Sequence, residues 1–191
     1  MSGRPHLLIF DGYADWEPAY AVAELRRSGG LAVQTVGFTS EPVRSMGGIT
    51  ALPDRPLSGV DPSDVSLLIL PGGDRWLPQP PERELVVLLH TLDHSGVPLA
   101  AICGATVAIA RAGLIRGRRH TSNGREFLAG QVPQYTEQAG YVDELAVRDR
   151  GLITASGLGA VEFAREIFAE LGVFSGEDRE RWYRAFKNGE L

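Results

Sequence analysis

Short apolar runs alternate along this chain with stretches whose apolar residues recur every three or four positions. His6 to Phe10, Leu31 to Phe38, Val65 to Leu70 and Val97 to Ile102 are of strand length and almost wholly apolar. A strand with one solvated face would alternate apolar and polar residues, so these continuous runs predict strands covered on both sides. Between them, Asp15 is placed to cap a helix through Trp16, Glu17, Pro18 and Ala19 to about Arg27, with the proline tolerated in the first turn. Glu82 to His94 carries Leu85, Leu88, Leu89 and Leu92 on one face. Met46-Gly47-Gly48 marks the turn of a small hairpin, and a helix of small residues follows Cys103 and stops at Gly113.

The second half is less regular. His120 to Asn123 reads as a short strand, with a small helix near Arg125 to Leu128. Glu144 to Arg148 and Leu152 to Ala155 form a hairpin across Asp149-Arg150-Gly151, and helices follow from Ala160 to Leu171 and Glu177 to Lys187. The β-α-β alternation predicts an α/β fold: a three-layer α/β/α sandwich around a flavodoxin-like, mostly parallel sheet. A single domain is expected over 1–191, with a C-terminal helix at 176–191 packed on it through Trp182, Tyr183 and Phe186. Ligands of such sheets collect at the carboxyl ends of the strands. That rule brings Asp11 to Glu17, Gly72 to Trp76 and the turn at Cys103 to one rim.

Composition narrows the class. At 191 residues and 43% hydrophobic content the chain can bury a full core. One cysteine permits no internal disulfide and no paired-cysteine metal site, so neither a metal nor another cofactor is expected. There is no apolar span of about 20 residues, and the N-terminal apolar run is too short for a signal peptide. A net charge of −5 argues against nucleic acid or an anionic membrane as partner, and Arg116-Gly117-Arg118-Arg119 reads as solvated surface. The expectation is a soluble, cytoplasmic protein.

Cys103 carries the strongest chemical signal. An apolar strand, a sharp turn and a helix surround it, with Ala101 and Ala105 two residues to either side and Gly104 next to it. This is the small-x-nucleophile-x-small pattern of a nucleophile elbow. A free thiol is only about 3% ionised at pH 7, so a nucleophile there calls for a lowered pKa, toward which a helix N-terminus contributes. Of the four histidines, His6 opens a strand, His90 and His94 lie on an amphipathic helix, and only His120 falls near the rim. Glu17 is the better partner: if buried and protonated, it would donate a hydrogen bond to the thiolate. Backbone N–H groups of Gly73 and Gly104 would form an oxyanion hole, glycine permitting the close approach.

Five patches together resemble the ThiJ/PfpI superfamily, the class I glutamine-amidotransferase-like fold that includes the Parkinsonism-associated protein deglycases. They are Phe10-Asp11-Gly12 with Glu17, Leu68 to Gly73, Ala101 to Ala105, Gly113-Leu114 leading to Thr121-Ser122, and Leu152 to Gly157 before Glu162-Phe163-Ala164. The resemblance implies that Glu17 hydrogen-bonds a reactive Cys103, that Gly73 and Gly104 face a substrate oxygen, and that the protein is a homodimer. It also makes Asn123 and His120 accessory candidates. The chain departs from the pattern at three points. Protease-like members have a histidine where Gly104 stands, deglycase-like members often have one where Asn123 stands, and the His-x-Glu element of glutaminases is absent. The expectation is a cysteine-dependent enzyme in which a Cys103–Glu17 pair attacks a small carbonyl or amide substrate, by glyoxalase or deglycase chemistry or by amide hydrolysis. The alternative is a stress-responsive redox sensor that works by oxidation of Cys103.

Overall fold

A computed structural model describes residues 3–190. In chain order the elements are β1 (Arg4–Ile9), α1 (Trp16–Arg27), β2 (Gln34–Gly37), β3 (Val43–Arg44), β4 (Thr50–Ala51), β5 (Arg55–Pro56), β6 (Val65–Leu70), α2 (Arg83–His94), β7 (Leu99–Ile102), α3 (Ala105–Arg111), α4 (Arg125–Gln131), β8 (Ala146–Asp149), β9 (Leu152–Ala155), α5 (Ala160–Leu171) and α6 (Gly176–Asn188). Seven strands form one sheet in the order β5-β2-β1-β6-β7-β9-β8, parallel except for β8, while β3 and β4 pair apart as a small hairpin. The chain winds from β1 toward β2 on one side and from β6 toward β7 on the other. Right-handed crossovers in opposite directions place α1 and α2 on opposite faces, which makes the three layers.

The apolar runs behave as their composition requires. All six residues of β6 and all four of β7 are buried, pairing as Leu68 with Leu99, Ile69 with Ala100 and Leu70 with Ala101. One continuous core extends from this centre to both helix layers. Among the described residues no helix is long and apolar enough to cross a membrane.

Four local expectations are corrected. The second strand begins at Gln34, not Leu31, because the Leu31 N–H closes the end of α1 on Leu25 O at 2.9 Å and is lost to the sheet. His120 to Asn123 makes a single bridge, His120 to Tyr141, and no strand; Thr121 spends its N–H on Thr154 Oγ1 and its hydroxyl on Glu144 O. Asp15 makes no side-chain cap on α1; its Oδ2 instead accepts from Ser45 Oγ at 2.5 Å and ties the β3–β4 hairpin to the rim. His6 lies inside β1, fully buried, rather than opening it. The edge strand β5 escapes a hydrophobicity reading because it is Arg55-Pro56, and proline is tolerated in a sheet at such an edge.

Helix α6 is held on α5 by an aromatic seam and a polar latch. Trp182 packs edge-on against Phe168 at 4.8 Å between ring centroids, and Tyr20 of α1 meets it from the other side. Tyr183 Oη donates to Glu162 Oε1 at 2.8 Å, and Lys187 Nζ pairs with the same oxygen at 2.9 Å. Burial pushes the Glu162 carboxyl up, but the Lys187 and Tyr183 contacts outweigh it and hold the group below its ordinary value. A depressed carboxylate adds stability above its unfolded pKa and loses it as pH falls through the folded one. Thermal unfolding followed from pH 7 to 3 should therefore show a steeper acid loss of melting temperature for the wild type than for Glu162→Gln.

Candidate active site

Cys103 is one of three described non-glycine residues with a left-handed backbone, at φ 59°. That conformation costs about 1–2 kcal/mol for an L-residue, and the surroundings fix it from both sides. The Cys103 N–H donates to Ala155 O at 2.8 Å, prolonging the β7–β9 pairing. Its carbonyl accepts from the Thr106 N–H at 3.1 Å and from Thr106 Oγ1 at 2.6 Å. The turn is crowded: a Cβ on Gly104 would lie 2.9 Å from Gly73 O. Small residues stand around the sulfur because nothing larger fits.

Glu17, in the first turn of α1, points inward with 1% exposure. Its Oε2 accepts from the Gly72 N–H at 2.5 Å, while the Gly72 carbonyl accepts from the Ala14 N–H at 3.0 Å. Gly72 is thus gripped through its N–H by the first turn of α1 and through its carbonyl by the loop after β1. A Cβ on Gly72 would fall 2.6 Å from Glu17 Oε2 and 2.7 Å from Cys103 Cβ. Beneath this turn Trp76 is buried, donating from Nε1 to Pro71 O at 2.8 Å and meeting Phe10 edge-on at 5.0 Å.

The sequence reading left two further contributors undefined. Asn123 Nδ2 donates to Cys103 Sγ at 3.2 Å, and its Oδ1 accepts from the Gly157 N–H at 2.9 Å. The second bond fixes the amide orientation, since only the oxygen accepts. Gly157 closes the pair from the β9 side, where a Cβ would sit 3.0 Å from Sγ and 3.2 Å from Glu17 Oε1. The signal for Gly157 was present: it follows a buried strand that ends on the same rim. His120 is not brought to the sulfur recess. Its ring nitrogens are engaged with Arg118 O at 2.8 Å and Tyr135 Oη at 2.7 Å, and burial lowers its pKa.

The electrostatics reverse one expectation. Burial pushes the Glu17 carboxyl up, against the pull of the Gly72 N–H and of the contact with Cys103. Burial also pushes the Cys103 thiol up. The Asn123 amide and the Gly104 N–H draw it back, whereas the charge and contact of Glu17 raise it further. The thiol is therefore raised where a lowered value was expected. Burial and the neighbouring carboxylate outweigh the donors on the sulfur. The carboxyl and the thiol are close enough that the two titrate as a pair, not as independent groups.

Above the sulfur lies a recess of about 180 Å³ bordered by Trp16, Met46, Leu77 and Phe127, with Asp74, Gly73 and Gly104 at its floor and edge. Among the described residues neither the Gly73 nor the Gly104 N–H donates to a protein oxygen. Arg111, at the end of α3, holds one wall in place by donating to the carbonyls of Trp76, Leu77, Gln79 and Gln131 at 2.7–2.9 Å. No group of three or more His, Cys, Asp or Glu side chains suited to a metal occurs among the described residues. A larger groove of about 650 Å³ at the opposite ends of the strands is lined by serines and Asp61, with no cysteine or histidine.

Residues 4–170 match the family model described as DJ-1/PfpI family, and the chain belongs to that family. It is 34% identical over 194 aligned residues to the uncharacterized protease YoaZ of Bacillus subtilis, covering 96% of this chain and 90% of that one. A crystal structure of a thiJ/pfpI family protein from Bacillus anthracis superposes with a TM-score of 0.91 at 33% identity, covering 100% of this chain and 92% of that one. More distant is the deglycase TK1284 of Thermococcus kodakarensis, 28% identical with 61% of this chain and 69% of that one covered.

The contacts on Sγ fix the sign of two substitutions. Glu17→Gln removes a negative charge and presents an amide donor, so the Cys103 titration should move to lower pH. Asn123→Ala removes a donor and should move it to higher pH. Thiolate absorbance at 240 nm, checked by the pH dependence of iodoacetamide labelling, reads both shifts.

Proposed function

We propose that this DJ-1/PfpI family member is a cysteine-dependent enzyme that converts small 2-oxoaldehydes to 2-hydroxy acids through Cys103 and Glu17. The observation that carries the reading is the buried Glu17 carboxyl beside a strained, half-buried Cys103, with the Gly73 and Gly104 N–H groups given to no protein oxygen. Cys103 Sγ adds to the aldehyde carbon, and the thiol proton passes to Glu17. The oxygen that takes up charge lies in reach of the Gly73 and Gly104 N–H groups, and such donors act where charge develops. Glu17 returns its proton to that oxygen and forms the hemithioacetal. It then takes the hydrogen of the former aldehyde carbon as a proton, leaving an enediol, and returns it to the neighbouring carbon, while the hydroxyl proton of the hemithioacetal passes to the neighbouring oxygen. The first carbon is oxidised to a thioester and the second reduced to an alcohol. Water cleaves the thioester, releasing the hydroxy acid and restoring the thiol, so one water is consumed and no outside oxidant is needed.

A buried carboxyl whose pKa is raised is suited to this relay because it is a stronger base than an ordinary carboxylate and can both take and return a proton. Amide hydrolysis demands in addition an acid for a departing amine, and none of His6, His90, His94 and His120 borders the recess. Redox sensing by Cys103 is the second reading, favoured by the Asn123 and Gly104 donors, which would hold a sulfinate oxygen.

Purified protein should convert methylglyoxal to lactate. Cys103→Ala should abolish turnover, and Glu17→Gln should lower kcat by about 100-fold or more, the usual contribution of a positioned acid–base group. Activity that survives Cys103→Ala would falsify the assignment. Selective double oxygenation of Cys103 by dilute peroxide, with no turnover of any carbonyl, would favour the sensor.

A further inference from the structure

We infer that the recess above Cys103 selects small, uncharged carbonyl compounds with an apolar substituent, aryl before methyl, and excludes those bearing a carboxylate. The inference rests on the function proposed above and names the substrate class for the same site.

The walls are apolar and partly open. Trp16 is 51% exposed and Met46 49% exposed, and each leaves surface to be covered by a ligand, with Leu77 and Phe127 opposite. An aromatic face and a flexible thioether together accommodate a flat ring. Among the described residues, the only ionisable side chains bordering the recess besides Cys103 are Glu17 and Asp74, both acids. Nearby cations are committed elsewhere. Arg75 lies over the Phe38 ring at 4.1 Å and pairs with Glu82; Arg111 is spent on four backbone carbonyls; Arg125 covers Tyr141 at 4.7 Å and faces Asp143. A carboxylate entering here would lose its water, gain no positive partner and meet negative charge. The recess, at about 180 Å³, also lies below the roughly 300–1,000 Å³ of sites that hold drug-sized ligands.

Kinetics on phenylglyoxal, methylglyoxal and 4-carboxyphenylglyoxal, a 2-oxoaldehyde that carries a carboxylate, test the selectivity. The expected order is phenylglyoxal over methylglyoxal by about tenfold in kcat/KM, an effect in the range of hydrophobic pocket discrimination, with no turnover of 4-carboxyphenylglyoxal. Trp16→Ala and Met46→Ala should each compress the phenylglyoxal-to-methylglyoxal ratio about fivefold, chiefly through KM. A second readout needs no turnover: the rate of Cys103 labelling by 2-bromoacetophenone and by iodoacetate, each divided by its rate on N-acetylcysteine. The normalised ratio should favour the neutral aryl reagent about tenfold or more, and Asp74→Asn should raise the iodoacetate rate. Turnover of all three aldehydes with equal efficiency would overturn the selectivity and leave the proposed function standing. Failure to turn over any of them, with the labelling preference intact, would defeat the proposed function and support the recess as a site for neutral apolar ligands. Equal normalised labelling overturns the inference whatever the turnover.

Discussion

Four chain reversals at one edge of the sheet share a space too small for one more methyl group. Gly72 and Gly157 face the Glu17–Cys103 pair from opposite sides, and a Cβ on either would stand within about 3 Å of its atoms. Close packing of this kind decides the site's geometry before any charge is considered. It sets the Gly72 peptide against the carboxyl, aims the carboxyl at the sulfur and leaves Asn123 as the single side chain of its strand-poor segment that reaches Sγ. The left-handed backbone of Cys103 is one more product of the same crowding, stabilised by bonds to Ala155 and Thr106.

The crowding also sets the electrostatics. A carboxyl and a thiol enclosed together are both poor anions, and the carboxylate makes the thiol a poorer one while the thiol's contact favours the carboxylate. In the reaction proposed above, such a pair gives up its proton when an incoming oxygen takes charge beside the Gly73 and Gly104 amides. On that reading the resting protein need not keep a permanently ionised sulfur.

The parallel sheet and its buried strands were legible because unbroken apolar runs such as Val65 to Leu70 admit few other arrangements. The elbow was legible because Ala101, Gly104 and Ala105 around one cysteine are a steric signature. The meeting of the loops after β1, β6 and β7 followed from topology alone. Depth was not legible. Whether Glu17 faces solvent or sulfur depends on packing contributed by Gly72 and Gly157, residues distant in sequence, and so the direction of the thiol's shift was misjudged. Asp15 looked like a cap because the hairpin residue that claims it, Ser45, lies thirty positions away. Asn123 gave no local signal; its role depends on Gly157, thirty-four positions on.

The guanidinium of Arg111 joins the C-terminal end of α3 to the chain carbonyls that shape one wall of the recess. Those bonds are charge-assisted, and swinging that wall outward would sacrifice all of them together. The helix that follows Cys103 thereby braces that wall of the recess. In the reaction proposed above, the rate-limiting event is then expected to lie in bond making and breaking rather than in displacement of that wall.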